Sequence, residues 1–485
     1  MYVIGLDIGT TGTKALLVDS QTGAIAGKGY RGYSLITHGD CVEQDANDWI
    51  RASIAAIREA MSGNEQLEVS GISVSSQGAS MAMLGKDGVP LGNAITWMDS
   101  RATAEARELE QRLGNEYVYH MCGWRIFPSL DAAKILYLKR AGLDQPGCLY
   151  LSTIEIIHHF LTGRAAIDPT NAAIRQLMDI RTGAWDSKML ATLGISAEQL
   201  PEICPTGSLV GGLTKQASAA LGLAEGTPVY SGAHDQYCAS IGAAAIRAGD
   251  MLLSAGTTWV VVGLGAQPLF SESFIAPCIH PVPGLYGAMA SLSGTGVSLE
   301  WYKNKFLPEI GYASMDRQAE ERSIGDLFYY PYPLGAAYPI WNTRARAAFT
   351  GSTIEHDRID YARAIMEGAV FCVRRALDDF SKNGCSIGAL KVLGGAAKSP
   401  LWSRLICDIT NKPVELLREP DACALGAAVI AAFGAGAHPD FRSAAAAMIQ
   451  SAETLTPDPA QAEYYSNKYE RYLRLWGHIA PYYRA

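Results

Sequence analysis

The chain has 485 residues, 48% hydrophobic and 18% charged, the balance of a globular protein long enough for two domains of roughly equal size. Its 40 basic and 48 acidic residues leave a net charge of −8, which argues against nucleic acid as a partner, because binding a phosphate backbone wants a basic surface. Ten cysteines without a Cys-x-x-Cys pair and nine histidines without ligand spacing argue against a disulfide frame or a zinc site and for reduced thiols in the cytoplasm.

The N-terminus enters an apolar segment directly, without a signal-peptide pattern. No apolar run reaches the ~20 residues of a membrane span, so no membrane partner is expected. Val3 to Ile8 is apolar except for Asp7, Ala15 to Val18 is apolar again, and Gly9 and Gly12 lie between. This pattern predicts two short strands joined by a tight turn. Thr10, Thr11, Thr13 and Lys14 give the turn hydroxyls and a cation, and glycine N–H groups can hold phosphate there. The spacing is neither a Walker loop nor a dinucleotide fingerprint. Asp7 is costly to bury unless it faces a cation or a polar cleft. By itself the stretch is also readable as an ordinary glycine hairpin.

Ile25 to Tyr33 reads as a third strand. Asp45 can cap a helix with Asp48 in its first turn and Trp49, Ile50, Ile54 and Ile57 on its apolar face. Val69 to Ser75 reads as a strand opening into Ser76-Gln77-Gly78-Ala79-Ser80, a small polar loop suited to a ligand or to a plain sheet-edge turn. Trp97-Met98-Asp99-Ser100-Arg101 precedes a charged helix from Ala102 to Leu113. Taken alone it reads as a surface ion pair beside a buried Trp; the sharper reading is a polyol contact, with charged groups binding hydroxyls over an aromatic face. A further helix is expected over Ala132 to Lys139.

Pro228 to Ala233 is a short strand that delivers His234, Asp235 and Gln236 to the start of an Ala- and Gly-rich helix. An acid at a strand end and a helix start is either an N-cap or a catalytic group, and local grounds alone favour the cap. About twenty residues later Met251 to Val262 repeats the opening design, with Gly256-Thr257-Thr258 between apolar strands, so Asp235 would be brought near a phosphate. Two such hairpins half a chain apart suggest a duplicated architecture gripping one nucleotide. Ser293-Gly294-Thr295-Gly296 leads into another helix, and Lys391 to Trp402 reads as a strand, a Gly394-Gly395 turn and a helix. Ala424 to Ala432 is a small-residue helix suited to tight interdomain packing, and Tyr465, Tyr469, Tyr472 and Trp476 form a packing stripe. The crossover between domains is expected near residues 244–250, giving domains 1–246 and 247–485.

The ordered set Asp7-Ile8-Gly9-Thr10-Thr11, Trp97-x-Asp99-x-Arg101, Gly232-x-x-Asp235, Ala255-Gly256-Thr257-Thr258 and Gly394-Gly395-Ala396 resembles the FGGY carbohydrate kinases over essentially the whole chain. Ala347 to Gly351 followed by Ala364-Ile365-Met366-Glu367 resembles that family's C-terminal signature, with Ser352 and Tyr361 where aliphatics are usual. The resemblance implies an α/β fold of two ribonuclease-H-like (actin-like ATPase) domains with a central interdomain cleft. The first domain would bind sugar and the second ATP.

The same resemblance implies Asp235 as general base, Asp7 at the magnesium ion, and Thr10, Thr11 and Lys14 near the transferred phosphoryl group. Thr257 and Thr258 would hold phosphate from the other domain, with Gly296, Gly395, Ala396 and Ser399 at the nucleotide. Gln77, Ser80, Trp97, Asp99, Arg101, Asp235 and Gln236 would face a small sugar or polyol. Gly78-Ala79 matches neither the Met-His pair usual in xylulokinases nor the Arg-Glu pair usual in glycerol kinases. Gln236 resembles glycerol kinase, whereas Gly12 to Asp19 and Glu43-Gln44-Asp45 resemble xylulokinase. The expected reaction is ATP-dependent phosphorylation of a primary hydroxyl of a keto-sugar or sugar alcohol, a pentulose such as xylulose first. Glycerol kinase is the alternative, and a non-catalytic actin- or chaperone-like nucleotide switch is the alternative of another class. A homodimer is expected at the level of the family alone.

Overall fold

The computed structural model describes residues 1–86, 88–273, 275–336, 338–339, 342 and 344–484. The chain divides into two compact units. The first comprises Met1–Ile246, Pro277–Leu285 and Asp421–Ile449, and the second Arg247–Ala276, Tyr286–Pro420 and Gln450–Ala485. Two segments that follow residue 246 in sequence therefore pack with the first unit.

The first unit is built on a six-stranded sheet in the order Leu209–Gly212, Pro228–His234, Val69–Ser76, Tyr2–Ile8, Gly12–Asp19, Ile25–Gly32. The opening hairpin and its third strand are antiparallel, as the alternation of apolar runs and glycine turns predicts. Val69–Ser76 runs parallel to Tyr2–Ile8, and Pro228–His234 parallel to Val69–Ser76. A second, five-stranded sheet of short antiparallel strands carries the 36–44, 81–84, 94–95 and 149–152 segments.

In the second unit, strands Tyr286–Leu292, Trp259–Gly265, Met251–Ala255, Leu390–Gly394, Val414–Leu417 and Ser451–Leu455 follow one another. Their pairings run antiparallel, antiparallel, parallel, parallel, antiparallel. Read from Ile25–Gly32 to Leu209–Gly212, the first sheet has the same succession. Each unit is thus an α/β layer built to one plan, the repeat foreshadowed by the two Gly-Thr-Thr hairpins. The aromatic stripe Tyr465, Tyr469, Tyr472 and Trp476 is buried in the second unit's core, as a packing stripe should be.

Two helix readings are corrected. The helix Ala46–Met61, capped by Asp45, buries Trp49, Ala52, Ala56, Ile57 and Ala60, while Ile50 and Ile54 are only half-buried. Its small face lies on glycines of the third strand: a Cβ on Gly27 would stand 1.9 Å from the Ala60 carbonyl oxygen, and one on Gly29 2.0 Å from that of Ala56. The helix Ala422–Gly434, expected between domains, packs inside the first unit. A Cβ on Gly5 would stand 1.9 Å from the Ala424 oxygen, and one on Gly426 1.9 Å from the Cys238 oxygen. Small residues let this helix press against both the strand carrying Asp7 and the helix Asp235–Gly242. Gly426→Val should therefore cost about 2 kcal/mol or more through overpacking. Calorimetry should show a lower unfolding temperature, and an unchanged one would mean that the two helices have slack.

Among the described residues no helix is long and apolar enough to cross a membrane. All ten cysteines are free.

Candidate active site

Three parallel strands of the first unit end side by side, because Ile8 pairs with Ser76 and Ser76 with His234. In open α/β sheets the space beyond such carboxyl ends is where ligands bind. The chain places Asp7, Ser75 to Gln77 and His234 to Gln236 there.

Asp7 is half-buried and accepts a hydrogen bond from Ser75 Oγ at 2.8 Å. Burial, helped by the negative charge of Asp235, outweighs that bond and nearby Lys14 and pushes the Asp7 carboxyl up to about 7. Lys14, opposite Asp7 in the hairpin, gives its Nζ to Asp421 Oδ1 at 2.6 Å. Burial works against the ammonium, but the hydrogen bond and charge of Asp421 hold its pKa above the ordinary value. A carboxyl raised this far beside two other acids is one that a cation would stabilise. Among the described residues no three His, Cys, Asp or Glu side chains are grouped to hold a metal alone. Asp7 suits magnesium, which takes one or two protein carboxylates and completes its shell with water and phosphate.

Asp235 is the first residue of its helix, and His234 is the cap: the His234 Nδ1 accepts from the Gln236 N–H at 3.3 Å. That corrects the local reading of Asp235 as N-cap. With its lone pair so engaged, Nδ1 has no proton to give Asp235 Oδ1, which lies 3.1 Å away. Asp235 Oδ1 is buried and has no hydrogen-bond partner, the state of a carboxylate oxygen available to accept a proton. Gln236 Oε1 is likewise buried and unpaired.

Gly78 leaves room for His234, since a Cβ there would stand 2.5 Å from the imidazole Cδ2. Ala79 has a φ of 51°, and its carbonyl accepts from the buried Lys134 Nζ at 2.6 Å, which also donates to the Ile95 carbonyl at 3.1 Å. Burial pulls the Lys134 ammonium down to about 8. Ser80 is buried, and its Oγ accepts from the Trp97 N–H at 3.3 Å. Trp97, expected to be buried if its motif were a plain surface ion pair, is 40% exposed. Its Nε1 donates to Thr10 Oγ1 at 3.1 Å. Asp99 is the buried member: it accepts from the Val42 N–H at 2.7 Å and from Arg101, whose Nη2 also reaches Glu43 at 2.6 Å. Thr11 is exposed on the hairpin tip.

In the second unit the equivalent strand ends carry Gly256-Thr257 and Gly394-Gly395, since Ala255 pairs with Gly394. They open on a cavity of about 710 Å³ lined by Thr257, Gly296, Gly395, Ala396 and Ser399, among others, within the range of small-molecule sites. Asp316 also lines it, its carboxyl raised by burial against a Ser399 hydrogen bond. A Cβ on Gly296 would stand 2.0 Å from the Gly256 oxygen, so the start of the helix Thr295–Phe306 admits no side chain at that position. Thr258 precedes the next strand and is not among the cavity's lining residues.

Motif reading missed Asp421, which engages Lys14 across 407 positions. An acid directly before a small-residue helix was the available signal.

Comparison with known proteins agrees with this geometry. Residues 2–242 match the N-terminal domain of the FGGY family of carbohydrate kinases, and residues 251–435 its C-terminal domain. The chain is similar to the xylulose kinase of Bacillus subtilis (strain 168), 28% identical over 485 residues covering 98% of this chain and 97% of that one. The crystal structure of xylulose kinase from Rhodospirillum rubrum matches with a TM-score of 0.91 at 28% identity, covering 100% of both chains. That of gluconate kinase from Lactobacillus acidophilus matches with a TM-score of 0.91 at 27% identity, covering 99% of both. With both family domains matched along the chain and the fold shared end to end, this protein belongs to the FGGY family and is a carbohydrate kinase.

Proposed function

We propose that the enzyme transfers the γ-phosphoryl group of ATP to a terminal primary hydroxyl of a neutral five-carbon ketose, with D-xylulose the first acceptor to test. The observation that carries this reading is the unpaired, buried Asp235 Oδ1 beside Asp7 at the ends of the parallel strands. Asp235 accepts the proton of the attacking hydroxyl. Gln77, Ser80, Trp97 and Gln236 shape the acceptor site, while Asp99 and Arg101, tied to each other and to Glu43, hold the Trp97 loop in place. ATP is assigned to the cavity of the second unit, with Thr257 at its phosphates, Thr258 following on the same turn outside the cavity lining, and Gly296, Gly395, Ala396 and Ser399 at its nucleoside. Thr10, Thr11 and Lys14 serve the phosphoryl group in transfer. Asp7 would hold magnesium, which when bound offsets charge on the phosphate oxygens. The free thiols fit a reducing compartment, and the cytoplasm is the proposed location.

The loop Gly78-Ala79 offers no side-chain contact of its own to a ligand, which leaves room for an acceptor longer than glycerol. The test is kcat/KM at saturating MgATP for D-xylulose, D-ribulose, L-xylulose, pentitols and glycerol. A ketose or pentitol is expected to lead. If glycerol clearly wins, the keto-sugar reading is wrong.

A further inference from the structure

A chain of three buried side chains in the first unit fixes the orientation of one amide at the strand ends. Trp49 Nε1, a donor only, gives its hydrogen to Gln44 Oε1 at 3.2 Å. The Thr10 carbonyl, an acceptor only, takes the Gln44 Nε2 hydrogen at 2.6 Å. Gln44 therefore has one permitted orientation, with its oxygen toward Trp49. The same oxygen accepts from Gln77 Nε2 at 2.9 Å, so the Gln77 amide is fixed as well. Its Oε1 is turned the other way and, though buried, has no partner.

The neighbours of Gln77 repeat this polarity. Thr170 Oγ1 accepts from the His234 N–H at 2.8 Å, and Ile174 Cδ1 lies 3.1 Å from where a Gly78 Cβ would stand. The short helix Pro169–Ile174 therefore lies against the Gln77 loop. On it, Asn171 gives its Nδ2 to Asp168 at 2.6 Å and leaves Oδ1 buried and unpaired. Just beyond, Gln176 gives its Nε2 to the Arg125 carbonyl and leaves Oε1 buried and unpaired. With Asp235 Oδ1 and Gln236 Oε1, the region offers several acceptors that the protein does not satisfy, beside a donor in the same state, Trp124 Nε1, which packs against Ala79 and Ile174.

Three of its cations are engaged: Arg101 by Asp99 and Glu43, Arg175 by Asp131 and Glu155, and Lys134 by two carbonyls. Unpaired buried acceptors are costly unless a ligand supplies hydrogens, and a carboxylate has none to give.

We propose that Gln44 is a positioning residue which, anchored by Trp49, locks Gln77 as a hydrogen-bond acceptor for a substrate hydroxyl. This makes the site selective for neutral polyhydroxylated acceptors over sugar acids. The proposal rests on placing the acceptor at the Gln77–Asp235 strand ends but not on which neutral sugar is best.

The test compares kcat/KM for the best neutral acceptor with that for D-gluconate in three proteins. Wild type should favour the neutral compound by at least about 100-fold, since a site built around hydroxyls rejects analogues that leave its polar groups unpaired. Gln44→Leu frees the Gln77 amide to turn over and should shrink that ratio at least about 10-fold, with the KM for ATP unchanged. Gln44→Glu keeps an oxygen toward Trp49 and Gln77 and, held protonated by its burial against the Thr10 carbonyl, a donor toward that carbonyl, and should retain the ratio. If Gln44→Leu does not fold, Gln77→Met carries the same comparison, with the same narrowing expected. Parity or a preference for gluconate in wild type overturns the proposal. So does an equal loss for both acceptors in Gln44→Leu, which would show a merely structural role. Should glycerol prove the best neutral acceptor, the pentulose reading falls while this inference stands.

Discussion

Asp235→Asn is expected to lower kcat by at least ~10²-fold while leaving the fold and ATP affinity intact. The amide has the size of the carboxylate but cannot take a proton. Little structure should be lost, because Asp235 Oδ1 has no hydrogen-bond partner and the helix start is capped by His234 rather than by Asp235. ADP release measured with the best acceptor gives kcat, and titration calorimetry gives nucleotide affinity. A folded Asp235→Asn enzyme with near-normal turnover would reject Asp235 as the base. The substitution also removes one of the negative charges that raise Asp7, so any limb of the pH–rate profile set by Asp7 should move to lower pH in the residual activity.

Asp7→Asn should make the protein more stable and nearly inactive. The folded-state pKa of Asp7 is raised from 3.8 to about 7, so the native state binds this proton more tightly than the unfolded chain does. The resulting stabilisation is complete below pH 3.8 and is lost as pH rises through about 7. At pH 8 the ionised carboxylate costs the metal-free protein at most roughly 4 kcal/mol, and less because Asp7 is only half-buried. Asparagine removes that cost. The melting temperature of Asp7→Asn should exceed that of wild type by a few degrees at pH 8, and the gap should narrow at pH 5. Magnesium with ADP should stabilise wild type at pH 8 by mass action and stabilise the variant less. Turnover should fall by at least ~10²-fold, the scale on which loss of a charge-stabilising contact acts. A variant no more stable than wild type at pH 8 would count against the raised pKa. Full magnesium-dependent turnover would remove Asp7 from the metal site.

Local patterning made the architecture readable because its signals are short-range. Short apolar runs separated by Gly-Thr-Thr fit strands closing on a tight turn better than they fit a helix, and finding this twice predicted the repeat that the two sheets share. The order of those hairpins with Asp99, Arg101, Asp235 and Gly395 carried the family. Asp235 could be singled out, against its local reading as a cap, because it stands shortly before the second Gly-Thr-Thr hairpin and at the position where the family resemblance implies a base.

What the sequence by itself determined, then, is the strand–turn units and the groups at their ends, since backbone geometry and side-chain alternation are set within a few residues. The tertiary structure alone decided which of those groups are spent on the protein. Trp97 turned out exposed and Asp99 buried because Glu43 and Val42 reach the loop from another strand. Lys14 is engaged by Asp421 because Gly5 and Gly426 let the helix Ala422–Gly434 lie close to the first strand. The orientation of Gln77 depends on Trp49 through Gln44. Each of these is a contact between residues far apart in the chain, fixed by close packing of small side chains and by the pairing of buried donors with acceptors. No local pattern contains that information.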